Sequence, residues 1–352
     1  MSASGFLIYG ANGYTGELIA RQAKLQGLQP VLAGRNRGKL EALANELGFA
    51  YRVFALETPA QIAAQLTGIE TVLHCAGPFS ATAAPMMAAC LQAKVNYLDI
   101  TGEISVFEHA QTLDAAAKQA GVVICPGVGF DVVPTDCVAS ALKAALPDAT
   151  QLALGFDSRS SFSPGTAKTS VEGLAQGGKI REGGVIKTVP LAAKTRRIDF
   201  GNGEKLAMTI PWGDVSTAYH STGIPNIEVY IPASPALVSK LKRLNWIRAL
   251  LGLGFVQAFM KKQIEKKVRG PSESVRSQAR TYVWGEARNA SGASKTARIE
   301  VPNGYTLTVH AALAVVAHLE HYKGPGGAFT PSRLVDANLI CRLPGAGALQ
   351  LQ

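Results

Sequence analysis

The sequence predicts an α/β fold, a doubly wound parallel sheet followed by an α+β domain with a mostly antiparallel sheet. Three observations carry this. Apolar runs alternate with helical patterns through the first third of the 352-residue chain, as in a parallel sheet covered on both faces. A glycine loop, Gly10-Ala11-Asn12-Gly13-Tyr14-Thr15-Gly16, sits between the first apolar run and the first helical pattern, the context in which such a loop holds a dinucleotide. From Gln151 onward, short alternating segments separated by Gly and Pro replace the apolar runs, as in antiparallel sheets. Together they predict a Rossmann-type domain joined to a second, smaller-stranded domain.

Each element has its own reason. Strands are expected at Gly5 to Tyr9, Pro30 to Ala33, Tyr51 to Ala55, Thr71 to Ala76, Asn96 to Asp99 and Val122 to Cys125. Helices are expected between them: Glu17 to Leu25; Arg37 to Leu47, with Leu40, Leu43, Ala44 and Leu47 on one face; Thr58 to Leu66; Ala83 to Ala93; and Ser105 to Ala120. Thr58 serves as N-cap with Pro59 at the first helical position. In the second part, strands are expected at Gln151 to Phe156, Lys194 to Phe200, Glu204 to Ile210, Asn226 to Ile231, Arg276 to Glu286, Ala297 to Val301 and Tyr305 to Val309. Helices are expected at Thr166 to Gln176 and His310 to Tyr322, and from Thr330-Pro331 to about Arg342. This divides the chain into a cofactor domain over 1–130, a substrate and oligomerisation domain over 131–329, and a C-terminal helix in 330–352 that packs back on the first.

The glycine loop carries the chemistry. Gly10 allows the tight turn, Gly13 leaves room for a pyrophosphate, and Gly16 lets the helix pack close to the strand. The N–H groups and dipole at the helix start favour the phosphates. The spacing is Gly-x-x-Gly-x-x-Gly, and an ordinary glycine turn is the bland alternative. At the end of the second strand stands Gly34-Arg35-Asn36-Arg37, where an NAD site would place an acid. A guanidinium there suits a 2′-phosphate, so Arg35, with Asn36 and Arg37 as helpers, argues for NADPH. After the fourth strand, Cys75-Ala76-Gly77-Pro78-Phe79 is small enough to let the cofactor pass.

Bulk properties bound the rest. Hydrophobic residues make up 47% and charged residues 17%, so the chain is globular. The formal charge of +10 comes mostly from dispersed residues, without zinc spacing or a helix-turn-helix pattern. Anionic small molecules are the simpler partners, and nucleic acid is not expected. Five scattered cysteines without Cys-x-x-Cys read as free thiols in a reducing compartment. The first strand follows the start at once, so no signal peptide is expected and a cytoplasmic location is.

Several stretches together resemble the saccharopine dehydrogenase-like oxidoreductases. They are Gly10 to Gly16, Ala33-Gly34-Arg35, Ala76-Gly77-Pro78-Phe79, Tyr97-Leu98-Asp99 with Thr101-Gly102-Glu103, and Gly129-Phe130-Asp131-Val132-Val133-Pro134-Thr135-Asp136. Gly165-Thr166, Gly270-Pro271-Ser272 and Gly326-Gly327-Ala328-Phe329-Thr330-Pro331 extend the resemblance to about Arg342. The nearest branch looks like the trans-acting enoyl reductases. The resemblance implies an NADP-binding Rossmann domain and an α+β partner domain. It leaves the substrate open between imines of amino acid metabolism and carbon–carbon double bonds of lipid precursors. No arginine cluster for a dicarboxylate is evident, which weighs against the literal saccharopine reading.

Reduction of either substrate needs a proton donor beside the hydride acceptor. Candidates are Tyr14, Glu103, Asp131 and Lys168, with Asp136, Tyr219 and His220 as others. Asp131 could equally bond nearby backbone, Asp136 could cap a helix from Cys137 to Ala145, Lys168 could be a solvated helix-end lysine, and His220 reads as a loop residue. His318 and His321 lie one helical turn apart with no third ligand evident, so no metal is expected. Leu244 to Met260 is strongly apolar but holds Arg248 and Gln257 and is too short to span a bilayer. It reads as a homodimer contact, a lid over an apolar substrate, or an amphipathic helix lying on a membrane. The first reading for function is an NADPH-dependent reductase of an apolar enoyl or related substrate. An imine reductase is the second, and a redox-sensing NADP-binding protein without turnover is the third.

Overall fold

The computed structural model describes residues 5–158, 171, 173–267 and 270–352. The chain forms two compact units, Met1–Val133 with Tyr305–Asp336, and Pro134–Gly304 with Ala337–Gln352. The return to the first unit begins at Tyr305, not at position 330, and ends at Asp336. The C-terminal tail therefore belongs to the second unit, where Gln350–Leu351 pairs with a strand of its sheet.

In the first unit β1 (Phe6–Tyr9), β2 (Val31–Gly34), β3 (Tyr51–Val53), β4 (Thr71–His74), β5 (Asn96–Asp99) and β6 (Val123–Cys125) form one parallel sheet. Its order is β6-β5-β4-β1-β2-β3, and Gly327–Ala328 adds a short parallel strand beside β6. The order reverses between β1 and β4, the point at which doubly wound sheets bind ligands. Between the strands run α1 (Tyr14–Leu25), α2 (Arg37–Leu47), α3 (Pro59–Ala64), α4 (Phe79–Ala93), α5 (Ile104–Thr112) and α6 (Asp114–Ala120). The single helix expected over Ser105 to Ala120 is thus two helices, divided at Leu113. One face of the sheet buries Leu7, Tyr9, Val72 and Tyr97 against Met86, Met87 and Cys90 of α4 and Val106 and Ala110 of α5.

The region from Tyr305 to Val309 is not a strand. It opens an 18-residue helix, Gly304–His321, which buries Leu307, Val309, Ala311, Ala312, Leu313, Val315 and Val316. The last expected helix is shorter than its sequence pattern, covering Pro331–Leu334 with a separate 3₁₀ turn at Ile340–Arg342.

The second unit holds α7 (Val133–Ala145) and a mixed sheet built from β7 (Ala149–Ser158), β8 (Gly178–Glu182), β9 (Val185–Val189), β10 (Thr195–Asp199), β11 (Glu204–Thr209), β12 (Asn226–Pro232), β13 (Arg280–Asn289) and β14 (Ser294–Pro302). Its path is β10-β11-β12-β7-β13-β14, and only β12 and β7 run parallel along it. The hairpin β8–β9 turns at Gly183-Gly184, both at positive φ, and is absent from the expected strands. The strand expected from Arg276 begins at Arg280, because Glu273–Gln278 is a helix capped by Ser272. Asp214–Thr222 is also helical, so Tyr219 and His220 are helix residues and not loop residues.

Candidate functional site

Because the first sheet is parallel, every loop leaving a strand's C-terminal end opens on one edge. The glycine loop leaves β1 there. Gly10 N and Ala11 N both donate to Ala33 O, at 2.8 and 3.2 Å, which fastens the loop to the end of β2. Gly10 has φ +81°, and a Cβ on it would sit 2.8 Å from the Ala76 side chain, so the loops after β1 and β4 touch. A Cβ on Gly16 would lie 2.3 Å from the Gly10 carbonyl oxygen. No residue but glycine fits there without moving backbone. Gly13 is exposed and stands at the N-cap of α1, with no side-chain hydrogen bond to cap the helix. The loop thus has the cradle and the uncapped first turn that a pyrophosphate requires. Ala11 is buried beneath it, and Asn12 and Thr15 are partly exposed on it.

Arg35 is exposed directly beyond β2. It makes no ion pair among the described residues, so its guanidinium is available to an anion. Asn36 caps α2, its side chain accepting from Lys39 N at 3.0 Å. Only its amide N–H₂ remains to assist a phosphate. These positions fit the adenine-ribose end of an NADP molecule, and the glycine loop fits its pyrophosphate.

Beyond β4 the helix start is different. Glu103 accepts from Phe79 N at 2.9 Å and from Ser80 N at 2.8 Å. The carboxylate of the loop after β5 therefore caps α4 and occupies the N–H groups that an anion would want. This gives Glu103 a structural use as an acceptor, and it closes the first turn at Phe79 to phosphate. Cys75, Ala76, Gly77 and Pro78 line the loop between, with Gly77 and Pro78 exposed and Gly77–Pro78 cis. Burial pushes the Cys75 thiol up, so it stays uncharged.

Beneath the loops lies a buried polar knot that sequence reasoning did not pick out as part of the site. Asp99 is fully buried and accepts from Tyr97 Oη at 2.7 Å, Thr101 N at 3.0 Å and Gly127 N at 2.8 Å. Its own carbonyl accepts from Val128 N. One side chain thereby ties the loop after β5 to the loop after β6. Burial pushes Asp99 up to about 6, against the pull of those three donors. His74 is buried beside it, with Nε2 2.9 Å from Thr82 Oγ1. Burial holds it down to about 3, and it is neutral.

Asp131 lies on the loop after β6. Its Oδ2 would be 2.7 Å from a Cβ on Gly102, so it stands over the loop after β5. Burial pushes its carboxyl up to about 7. Nearby, Phe130 N donates to Thr308 Oγ1 at 3.0 Å on the helix Gly304–His321. Tyr14, at the start of α1, packs its ring edge-on to Tyr305, with 5.1 Å between centroids. Of the expected donors, Tyr14, Glu103 and Asp131 therefore share the sheet edge with the glycine loop, and Lys168 lies outside the described residues. Asp136 is not an N-cap: it sits within α7, buried, and accepts from Ser221 Oγ. Tyr219 carries Arg181 over its ring at 4.2 Å within the second unit.

Comparison with known proteins agrees with this geometry. Residues 6–125 match the family model of the saccharopine dehydrogenase NADP binding domain. A trans-acting enoyl reductase of Mycobacterium ulcerans is 30% identical over 140 residues, 37% of this chain and 33% of that protein. A saccharopine dehydrogenase-like oxidoreductase of Homo sapiens is 26% identical over 152 residues, 37% of this chain and 35% of that one. The chain covers less than half the length of the curated relatives it matches. In fold it is similar to apo saccharopine dehydrogenase (L-Glu forming) from Saccharomyces cerevisiae, with TM-score 0.66, 12% identity and 99% of each chain covered. Residues 6–125 thus resemble a saccharopine dehydrogenase NADP binding domain, and the chain as a whole shares the fold of saccharopine dehydrogenase.

Proposed function

We propose that the protein is an NADPH-dependent reductase of an apolar enoyl or related unsaturated substrate. The observation that carries this reading is the gathering, on one sheet edge, of an uncapped glycine cradle, a cationic Arg35 and a carboxyl that titrates near neutrality. NADPH, when bound, supplies the hydride. Arg35 holds the 2′-phosphate, and the loop from Gly10 to Gly16 holds the pyrophosphate. Asp131 holds a proton at its carboxyl near neutral pH and delivers it as negative charge develops on the substrate. Asp99 and Glu103 position the loops that present these groups. The similarity to a trans-acting enoyl reductase supports the enoyl class.

The test is turnover, followed by loss of NADPH absorbance with two panels. One panel holds enoyl thioesters of increasing chain length, and the other holds imines formed from 2-oxo acids and amines. Reduction of long enoyl thioesters, lowered in Asp131→Asn, supports the proposal. Turnover confined to imines replaces it with the imine reductase. Tight NADPH binding without turnover of either panel replaces it with a redox sensor.

A further inference from the structure

Between Val229 and Ile264 the chain has six basic residues, Lys240, Lys242, Arg243, Arg248, Lys261 and Lys262, and no acidic one. The same stretch carries most of the exposed large apolar side chains among the described residues. Trp246 is 91% exposed, Phe255 74% and Phe259 63%, with Leu250, Ile247 and Leu253 also exposed. Solvated apolar groups in this number are costly unless something covers them.

The segment is built to present them. Ser234 caps the helix Pro235–Leu244, whose underside seats Val238 and Leu241 against Met208 and Ala192. A 3₁₀ turn at Asn245–Ile247 then breaks the helix. Asn245 clamps that turn by accepting from Leu191 N at 2.8 Å and donating to Leu191 O at 3.2 Å. Trp246 is therefore held outward on a fixed turn. The helix Gly254–Lys267 follows, with Phe255 and Phe259 one turn apart on one side. Beside the turn, Lys240, Arg243, Leu244 and Ile247 line an open groove of about 580 Å³. Lys240, Lys242, Arg243 and Lys262 have no carboxylate partner among the described residues. No helix among them is long and apolar enough to cross a membrane.

We propose that this segment docks the protein on an anionic lipid surface, with Trp246, Phe255 and Phe259 entering the interface and Lys240 and Arg243 meeting lipid phosphates. Charge decides between a bilayer and a second copy of the chain. A twofold contact would place this acid-free, basic stretch against itself. An anionic bilayer offers both the apolar layer for the aromatics and the charge for the lysines. The proposal does not depend on which substrate the cofactor site serves.

Tryptophan emission gives a direct readout. Of the three tryptophans, Trp284 is buried and Trp212 is partly buried, so Trp246 is the one that a bilayer would newly cover. The full-length protein is titrated with vesicles of phosphatidylcholine alone and with added phosphatidylserine, and bound protein is sedimented. The expected result is binding that requires phosphatidylserine and weakens with salt, with a blue shift of emission that disappears in Trp246→Phe. Each basic residue near an anionic surface is worth roughly fivefold in affinity. Lys240→Glu with Arg243→Glu should therefore weaken binding at least about tenfold, with NADPH affinity kept as the check on folding. Three results would each overturn the proposal. They are no sedimentation with either vesicle, equal binding to both vesicles regardless of charge reversal, and a vesicle-independent dimer abolished by Trp246→Ala.

Discussion

Replacing Asp131 with Asn removes a carboxyl that the fold holds protonated to unusually high pH. Its carboxyl moves from an ordinary 3.8 to about 7, and burial is the cause. The native state therefore binds a proton that the unfolded chain has already released between about pH 4 and pH 7. Stability falls with rising pH wherever the native state binds more protons. The contribution of the protonated form is complete below about pH 4 and is lost as pH climbs through about 7. At about 1.36 kcal/mol for each tenfold change in proton affinity, the ceiling is about 4 kcal/mol. Asp131 is partly exposed, and solvent screening reduces this to about 2–4 kcal/mol. The isosteric amide has no such pH dependence. Urea denaturation of the wild type and of Asp131→Asn at a series of pH values should show the variant gaining about 2–4 kcal/mol relative to the wild type between about pH 4 and pH 8. Parallel stability curves across that window would refute the assignment. In turnover, kcat/KM of the wild type should decline as pH rises through about 7.

Other outcomes follow from the same edge of the sheet. Gly16→Ala puts a methyl 2.3 Å from the Gly10 carbonyl oxygen. The loop must open, and NADPH affinity measured by nicotinamide fluorescence should fall at least about tenfold, or about 1.4 kcal/mol. Asp99→Ala leaves Tyr97 Oη, Thr101 N and Gly127 N without their acceptor in a buried place. At about 1–3 kcal/mol per orphaned group, chemical denaturation should show a loss of about 3 kcal/mol or more. Glu103→Ala uncaps α4 and should lower stability by about 1–2 kcal/mol in the same assay. Because Glu103 is an acceptor in this arrangement, the pH profile of turnover should keep its wild-type midpoint.

Most of the first sheet was legible because β1, β2, β4 and β6 are short, largely apolar runs followed closely by glycine, a signal local to each strand. The glycine cradle and Arg35 were legible for the same reason. Elsewhere long-range packing overrode local pattern. Tyr305 to Val309 alternates and is rich in Thr and Val, which reads as strand. In the fold its apolar residues are buried along a helix, so helical periodicity leaves no polar face to see. Asp214–Thr222 is rich in Ser and Thr and reads as loop, yet it buries Asp214, Val215, Ser216, Thr217 and Ala218. In the hairpin β8–β9, strand β9 is mostly exposed and lacks apolar alternation, although Gly183-Gly184 between the strands was a usable turn signal. Asp99 was visible only as part of a motif. Its role as a three-way acceptor depends on Gly127, far along the chain, and no local pattern announces that. Glu103 was read as a donor because the sequence does not show that the start of α4 lies within reach of it.

The central claim is that the edge beyond β1 and β2 holds NADPH and reads its 2′-phosphate with Arg35. The direct measurement is the affinity of NADPH and NADH for the wild type and for Arg35→Asp, taken from nicotinamide fluorescence. The account predicts tight NADPH and weak NADH for the wild type, and in Arg35→Asp a loss of NADPH affinity of more than about tenfold with NADH spared. Equal losses for both cofactors would contradict the 2′-phosphate assignment, and binding of neither to the wild type would contradict the cofactor site itself.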